Sequence, residues 1–243
     1  MNSSKLIKEL LSEHNLTDCI REKTPMRYDY RSTKADCPTA EQKKLPEFKQ
    51  LKAKYQKLVG SFLFICNTCR PDICYAVNQL CRLMSYPNQK HLDAALHLLR
   101  YLAGTVELGI GNHSTGNKRP YLYADSDDGS DDTRRSCAGY ISFLADGPIH
   151  WKSKMLDALS LSSCESEIRA INMAMEPIKE SIKMRMLLDE KDGNLFSNGN
   201  PNTNPYSIVT DIPTEILEDN RSAIDWSKHN APRTRPQMDP ATR

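Results

Sequence analysis

The sequence has almost no net charge and no long apolar run, and each absence argues against a class of protein. It has 33 Lys and Arg residues against 31 Asp and Glu residues, for a formal net charge of +2. Overall charge therefore does not indicate a nucleic-acid-binding protein, and any such role requires a local basic surface. The longest apolar stretch, Leu58 to Cys66, is interrupted by Gly60 and Ser61 and is too short for a membrane span. We expect no contact with a membrane.

The N-terminus and the cysteines favour an intracellular protein, in the cytoplasm or the nucleus. The opening residues MNSSKLIKELL have charges among the apolar positions and no cleavage-site pattern, so they do not form a signal peptide. Eight cysteines in such a chain are expected to be free thiols. With 243 residues, 39% hydrophobic and 26% charged, the composition is typical of a globular protein with one or two domains.

Apolar spacing predicts helices in the first half of the chain. Residues 3–15 fit a short amphipathic helix, and residues 23–47, with three prolines, fit a linker. Three helices are expected to follow, near residues 55–66, from residue 70 onward and at about 90–103. We expect these three helices to pack as one compact unit, with Phe62 buried.

After Gly116 the periodicity changes to that of strands. The predicted strands are residues 121–124, 138–144, 149–152 and 215–218. The first three are close enough for an antiparallel meander, and a long helix capped by Ser162 or Ser163 separates them from the fourth. A last helix is expected from about Arg221 to His229. Because a strand–helix–strand connection favours parallel strands, the fourth strand should lie beside the first.

This topology brings carboxylates to one edge of the sheet. Asp125 and Asp219 would end neighbouring strands, where open α/β sheets bind ligands, and Glu167 would project over the same edge. Converging carboxylates repel one another unless a cation compensates them, and oxygen ligands select Mg²⁺ or Mn²⁺. Two such ions about 4 Å apart can activate water for phosphodiester hydrolysis. Topology alone favours the alternative, in which each acid is an ordinary turn residue.

Several motifs, in order, resemble the C-terminal part of copia-type retrotransposon Pol polyproteins. Those that resemble its ribonuclease H domain are YADSD at 123–127, RRSCAGY at 134–140, WKSK at 151–154, LSSCESEI at 161–168 and EDNRSAI at 218–224. Those that resemble the preceding connection segment are YQKLVG at 55–60, RPDI at 70–73 and LRYLAG at 99–104. The resemblance spans about residues 55–229, and residues 1–20 resemble the end of the polymerase thumb.

The resemblance implies a fold and a domain division. The fold would be α/β: a ribonuclease H-like mixed sheet of three antiparallel strands and a parallel fourth, with helices, preceded by a small helical segment. Residues 1–50 would be the end of the reverse transcriptase region and a linker. Residues 51–116 would be a helical connection segment, and residues 117–243 a C-terminally truncated ribonuclease H-like domain.

The resemblance also implies a function and a site. The family's ribonuclease H hydrolyses the RNA strand of RNA–DNA hybrids by a two-metal mechanism. Its catalytic and metal-binding carboxylates fall on Asp125, Glu167 and Asp219, with Mg²⁺ or Mn²⁺ as the cofactor. The expected partners are an RNA–DNA hybrid and the reverse transcriptase part of a Pol polyprotein. We interpret Asp127 and Glu165 as solvated or supporting carboxylates.

Four basic residues flank this site and are candidates to bind phosphates of the hybrid: Arg134, Arg135, Lys152 and Lys154. In the family a further strand and helix follow, and that helix supplies a fourth aspartate, whereas this sequence ends at Arg243. We therefore expect little or no hybrid cleavage by the chain as given. The paired aspartates of the polymerase are absent, so we expect no polymerisation.

Two other interpretations remain open. In the first interpretation, the chain is a catalytically inactive Pol remnant that acts at most as a binding or structural module. In the second interpretation, which the sequence favours less, the chain is a zinc-binding protein. Four cysteines have spacing like that of a zinc knuckle: Cys66, Cys69, Cys74 and Cys81. The third position is Cys rather than His and the last gap is six residues, which favours core or surface thiols. His91 and His97 do not share a helix face, so we expect them at the surface.

Overall fold

The computed structural model describes residues 2–30, 36–113, 120–127, 135–157, 162–191 and 215–228. In chain order its elements are α1 (Ser4–Glu13), α2 (Pro46–Cys69), α3 (Cys74–Cys81), α4 (Gln89–Gly104), β1 (Tyr121–Asp127), β2 (Cys137–Leu144), β3 (Gly147–Met155), α5 (Ser163–Lys191), β4 (Glu215–Leu217) and α6 (Arg221–Lys228). The chain is thus mixed α/β, with a helical part before a four-stranded sheet, as predicted. No described helix is long and apolar enough to cross a lipid bilayer.

Helices α1 to α4 share one hydrophobic core, which we call the helical unit. The face of α2 that it buries comprises Tyr55, Leu58, Val59, Phe62, Ile65, Cys66 and Cys69. Burial of a large apolar side chain contributes about 1.5–3 kcal/mol, so this stripe is a main source of stability. Helix α2 begins at Pro46, before the predicted start at residue 55, because proline fits the first turn of a helix, where its missing N–H has no partner to lose.

A buried arginine joins the turn after α2 to the end of α4. Arg70 is 1% exposed, and its guanidinium donates to both carboxylate oxygens of Asp72, at 2.9 and 2.7 Å. It also donates to the carbonyl and the hydroxyl of Thr105, at 2.9 and 2.7 Å. The Tyr101 hydroxyl donates to Asp72 Oδ2 at 2.8 Å. Because the buried charge is paired and hydrogen-bonded, its burial is tolerated.

The two histidines of α4 are buried, so the prediction of surface histidines was wrong. His91 is 0% exposed, and its Nδ1 accepts the backbone N–H of Asn88 at 3.1 Å. Asn88 Oδ1 in turn accepts the backbone N–H of His91 at 3.0 Å, which completes a capping box at the start of the helix. His97 is 5% exposed, and its Nε2 lies 3.0 Å from the carbonyl of Thr24.

The sheet has the strand order β3-β2-β1-β4. Strands β1, β2 and β3 form the predicted antiparallel meander, and β4 lies parallel to β1, with Leu122 opposite Ile216. Helix α5 packs on one face of the sheet, where Leu122, Ala138 and Ala170 are buried together. The prediction that the fourth strand lies beside the first is confirmed.

Several strand ends differ from the prediction: β2 begins at Cys137, β3 spans Gly147–Met155, and two further differences concern the strands next to Asp125 and Asp219. Strand β1 continues to Asp127, so Asp125 lies within the strand, opposite Gly139 of β2. Strand β4 ends at Leu217, and Glu218 lies beyond it. The extension of β1 arises because β2 offers backbone partners to β1 as far as Cys137, which extends the ladder past the apolar segment.

Contacts from α2 and α3 join the helical unit to the face of the sheet opposite α5. Trp151 Nε1, on β3, donates to the carbonyl of Cys66 at 2.9 Å. Asn78 Nδ2, on α3, lies 3.5 Å from the hydroxyl of Ser153 and 3.6 Å from Sγ of Cys137. The two faces of the sheet are therefore in contact with different helices.

Candidate metal centre

Three carboxylates from distant parts of the chain converge at one edge of the sheet. Asp125, Glu167 and Asp219 each place one carboxylate oxygen within 4.8 Å of the others. We call this set the carboxylate cluster. Within the part of the chain that the structure describes, no other three Asp, Glu, His or Cys side chains converge in this way. The predicted proximity of these residues is therefore observed, whereas their roles as ligands and catalysts stay predictions.

The parallel register of β1 and β4 explains why the two aspartates meet. Tyr121 lies opposite Glu215 and Tyr123 lies opposite Leu217. If this pairing register is extended by two residues, Asp125 lies opposite Asp219, although β4 itself ends at Leu217. Both aspartates are exposed and thus open to solvent and ligands.

Glu167 reaches the carboxylate cluster from the opposite side, at the start of α5. Ser162 caps this helix, since its hydroxyl accepts the backbone N–H of Glu165 at 3.2 Å. The side chain of Glu165 pairs with Arg169 at 2.6 Å instead of joining the cluster. Glu167 lies two residues further along and is directed into the carboxylate cluster.

The environment of Glu167 disfavours its charged form. The residue is 5% exposed, and its Oε2 has no hydrogen-bond partner among the described residues. Burial, followed by the negative charges of Glu218, Asp125 and Asp219, raises the pKa of Glu167 to about 7. An unpartnered buried carboxylate oxygen is costly, and a cation would remove this cost. The oxygen-only donor set therefore fits a hard divalent ion such as Mg²⁺ or Mn²⁺.

Glu218 is a fourth carboxylate beside the carboxylate cluster, and the sequence analysis missed it. Its Oε1 accepts the backbone N–H groups of Asp219 and Asn220, both at 3.1 Å. Its Oε2 is buried and has no hydrogen-bond partner among the described residues. Burial raises the pKa of Glu218. The only available signal was its position next to Asp219, which does not distinguish it from an ordinary strand-end glutamate.

The segment after Asp219 is fixed by a helix cap. Asn220 Oδ1 accepts the backbone N–H of Ala223 at 3.1 Å, so Asn220 is the N-cap of α6. Together with Glu218, this cap holds the backbone on both sides of Asp219.

The predicted phosphate-binding residues lie in different settings. Arg134 is outside the described residues. Arg135 is exposed just before β2, and Lys152 is exposed on β3. Lys154 pairs with Asp157 at 2.9 Å. Because β3 is the edge strand farthest from β4, Lys152 and Lys154 are separated from the carboxylate cluster by the width of β2.

The cysteines do not gather as zinc ligands in the described residues. All eight are free thiols, as predicted. A hydrogen bond with Cys74, together with burial, raises the pKa of Cys66.

Known proteins similar to this chain include polyproteins of plant transposons. It is 32% identical to the retrovirus-related Pol polyprotein from transposon TNT 1-94 of Nicotiana tabacum over 193 residues, which are 78% of the chain and 14% of that polyprotein. It is 34% identical to the retrovirus-related Pol polyprotein from transposon RE1 of Arabidopsis thaliana over 177 residues, which are 70% of the chain and 11% of that polyprotein. The chain thus corresponds to a small part of these polyproteins.

A shorter relative is covered more fully. The uncharacterized mitochondrial protein AtMg00810 of Arabidopsis thaliana is 30% identical over 172 residues, which are 70% of the chain and 67% of that protein. No protein-family model matches the sequence. No solved structure matches the chain.

Proposed function

Because the chain belongs to the family of copia-type retrotransposon Pol polyproteins, we propose that its sheet is a ribonuclease H-like domain that hydrolyses the RNA strand of RNA–DNA hybrids. The observation that carries this proposal is the convergence of Asp125, Glu167 and Asp219 to within 4.8 Å. The strand order, with three antiparallel strands and a parallel fourth beside the first, supports the same domain type.

The carboxylate cluster would hold two divalent ions, Mg²⁺ or Mn²⁺. Asp125 and Asp219 would bind them from the exposed side, and Glu167 from the helix side. When bound, the ions would activate the attacking water and stabilise the negative charge on the phosphate. Like-charge repulsion within the cluster is the reason that cations should bind it tightly.

The other side chains would position the substrate. Arg135 and Lys152 are exposed cations that can bind phosphates of either strand, which fixes the register of the nucleic acid. Glu218 would hold the backbone of Asp219 in place. Preference for a hybrid would come from contacts with the 2′-hydroxyl groups of the RNA strand in its shallow minor groove.

A cleavage assay with labelled RNA annealed to DNA tests this function. The resemblance implied a fourth aspartate that this sequence does not contain, and hence little or no cleavage. Because three carboxylates nevertheless converge, we now expect that, with Mg²⁺ or Mn²⁺, the wild-type chain cuts the RNA strand of the hybrid and leaves a DNA duplex intact. Asp125→Asn should reduce the rate at least about a hundredfold, because misplacing a reacting group by about 1 Å already has that effect. Asp146→Asn is the matched control, since Asp146 is exposed in the turn between β2 and β3, outside the carboxylate cluster.

Two results would contradict the proposal. If Asp125→Asn and wild type cleave equally, the nuclease activity does not come from the carboxylate cluster. If the wild-type chain binds Mn²⁺ and hybrid but does not cleave, the chain is a binding module of the Pol polyprotein and not a nuclease.

A further inference from the structure

A groove of about 570 Å³ lies between α3 and the sheet face opposite α5. Tyr75 of α3 and Tyr123 of β1 line it, and their side chains are 43% and 48% exposed. Asp125 and Asp127 of β1 also line it. The groove therefore adjoins the carboxylate cluster and shares one of its residues.

The contacts that join α2 and α3 to the sheet also fix the width of this groove. Trp151 lines it, and the hydrogen bond of its indole N–H to the Cys66 carbonyl restrains the ring. Asn78 connects α3 to Ser153 of β3 on the same side. Because the walls are already held in position, a ligand would lose little free energy in ordering them.

The lining is suited to a flat, neutral group. Its aromatic side chains come from both walls, whereas its charged residues are three aspartates and one lysine: Asp72, Asp125, Asp127 and Lys152. Asp72 is already paired with Arg70, whereas Asp125 and Asp127 make the end of the groove beside the carboxylate cluster acidic. An anionic group would be repelled at that end unless cations bound to the carboxylate cluster. A nucleotide matches this division, since its base is neutral and aromatic and its phosphate is anionic.

We propose that this groove binds an unpaired nucleoside of the nucleic acid whose backbone lies at the carboxylate cluster. The base stacks on Tyr75, with Tyr123 on the sheet side of the groove, and the phosphate is directed toward Asp125. The volume is in the range of small-ligand sites and not of a duplex, so the occupant is a single-stranded nucleotide next to the hybrid. This inference rests on the proposed function for its substrate, and it adds a site for a substrate with an overhang.

Binding to three labelled hybrids tests this site, measured by fluorescence anisotropy with Ca²⁺ as the divalent ion. One hybrid is blunt, one has a short single-stranded overhang, and one has the same overhang without bases. The overhang with bases should bind about tenfold more tightly than the overhang without bases, the typical effect of one base–aromatic stack. Tyr75→Ala should abolish this difference, and Tyr75→Trp should keep it.

Tyr86→Ala is the matched control. Tyr86 is 48% exposed in the turn after α3, where its ring contacts the Lys43 ammonium, and it is not among the groove residues. This variant should retain the preference for the overhang with bases. If Tyr75→Ala retains it too, or if wild type binds both overhangs equally, the groove is not a nucleoside site.

Alkylation of Cys74 gives a second measurement. Cys74 is partly exposed and lines the groove, so the overhang should slow its alkylation, whereas Cys19 in the N-terminal segment should react at an unchanged rate. If a higher protein concentration slows the alkylation of Cys74 without any nucleic acid, a second copy of the chain covers the groove and the proposal is overturned. Binding of the blunt hybrid without Cys74 protection by any overhang would overturn this inference but leave the nuclease function intact. Binding of no hybrid at all would overturn both.

Discussion

Glu218 Oε1 accepts a hydrogen bond of 3.1 Å from the backbone N–H of Asp219, the residue that follows it. The same oxygen accepts the N–H of Asn220 at 3.1 Å. Asp219 lies beyond the end of β4, where the sheet no longer holds the backbone. The carboxylate of Glu218 therefore replaces the missing strand pairing as the restraint on Asp219.

Two substitutions of Glu218 should distinguish the effect of its hydrogen bonds on metal affinity from the effect of its charge. We expect Glu218→Ala to weaken Mn²⁺ binding about tenfold, the lower end of what removal of a residue that supports a metal ligand typically causes. Glu218→Gln should lose less affinity, because its amide oxygen can accept the same two N–H groups. Isothermal titration with Mn²⁺ measures both variants. Equal affinities of the alanine variant and wild type would show that the backbone of Asp219 needs no such restraint.

Divalent ions should stabilise the folded chain through Asp219. At a free Mn²⁺ concentration a hundredfold above its dissociation constant, binding to the folded state adds about 2.7 kcal/mol to the free energy of unfolding. Asp219→Asn should lose most of this gain, whereas Asp146→Asn should keep it. Thermal melts with and without Mn²⁺ compare the three proteins. The same Mn²⁺-induced shift in all three would exclude Asp219 as a ligand.

Without metal, the stability of the chain should fall as the pH rises toward neutrality. The pKa of Glu167 is about 7 in the folded protein, above its ordinary value of 4.5. Between these two values the folded protein keeps a proton that the unfolded chain has released. The contribution of this proton to the free energy of unfolding is full below pH 4.5 and is lost as the pH rises through 7. Its size is about 1.4 kcal/mol for each unit by which the folded and unfolded pKa values differ.

Urea unfolding in EDTA at several pH values tests this dependence. Glu167→Gln should remove most of the fall in this pH window, because its side chain does not ionise and only the raised pKa of Glu218 then contributes. Excess Mn²⁺ should reverse the trend in wild type, since the metal competes with the proton. A Glu167→Gln profile parallel to that of wild type would mean that another group causes the fall.

Two phenylalanines of α2 provide a matched test of the helical unit. Phe62 is 0% exposed and Phe64 is 61% exposed. Phe62→Asp buries an unpaired charge, which costs several kcal/mol and should unfold α1 to α4. Phe64→Asp should change the free energy of unfolding by no more than about 0.5 kcal/mol. Circular dichroism melts distinguish these outcomes, and equal melting temperatures of the two variants would contradict the packing of α2.

The sequence predicted the parts of the site that follow from local pattern and one rule of topology. The strands before Asp125 and Asp219 have the right residue types, and the crossover rule places them side by side. The helix that carries Glu167 was evident from its Ser cap and its apolar spacing. The proximity of the three carboxylates could therefore be predicted without knowledge of any contact between distant segments.

Contacts between distant segments could not be predicted in this way. From sequence alone, a tryptophan on a strand such as Trp151 is as compatible with stacking on a nucleotide as with packing. Only the folded chain shows its indole N–H bound to the Cys66 carbonyl. Histidine is a polar residue that is often exposed, so the sequence predicted His91 at the surface. In the structure its ring is buried and completes a capping box. Glu218 lies at a strand end, and its pairing with backbone groups depends on the turn that follows.

The shortness of β4 has a consequence for the order of folding. Strands β1, β2 and β3 are joined by short connections and pair locally, whereas β4 has only three residues and pairs with a strand that lies far back in the sequence. Closing a long loop costs entropy before the few new contacts compensate it. The third carboxylate therefore arrives last, and a chain that has formed its helices and its meander but has not docked β4 would lack one of the three proposed metal ligands.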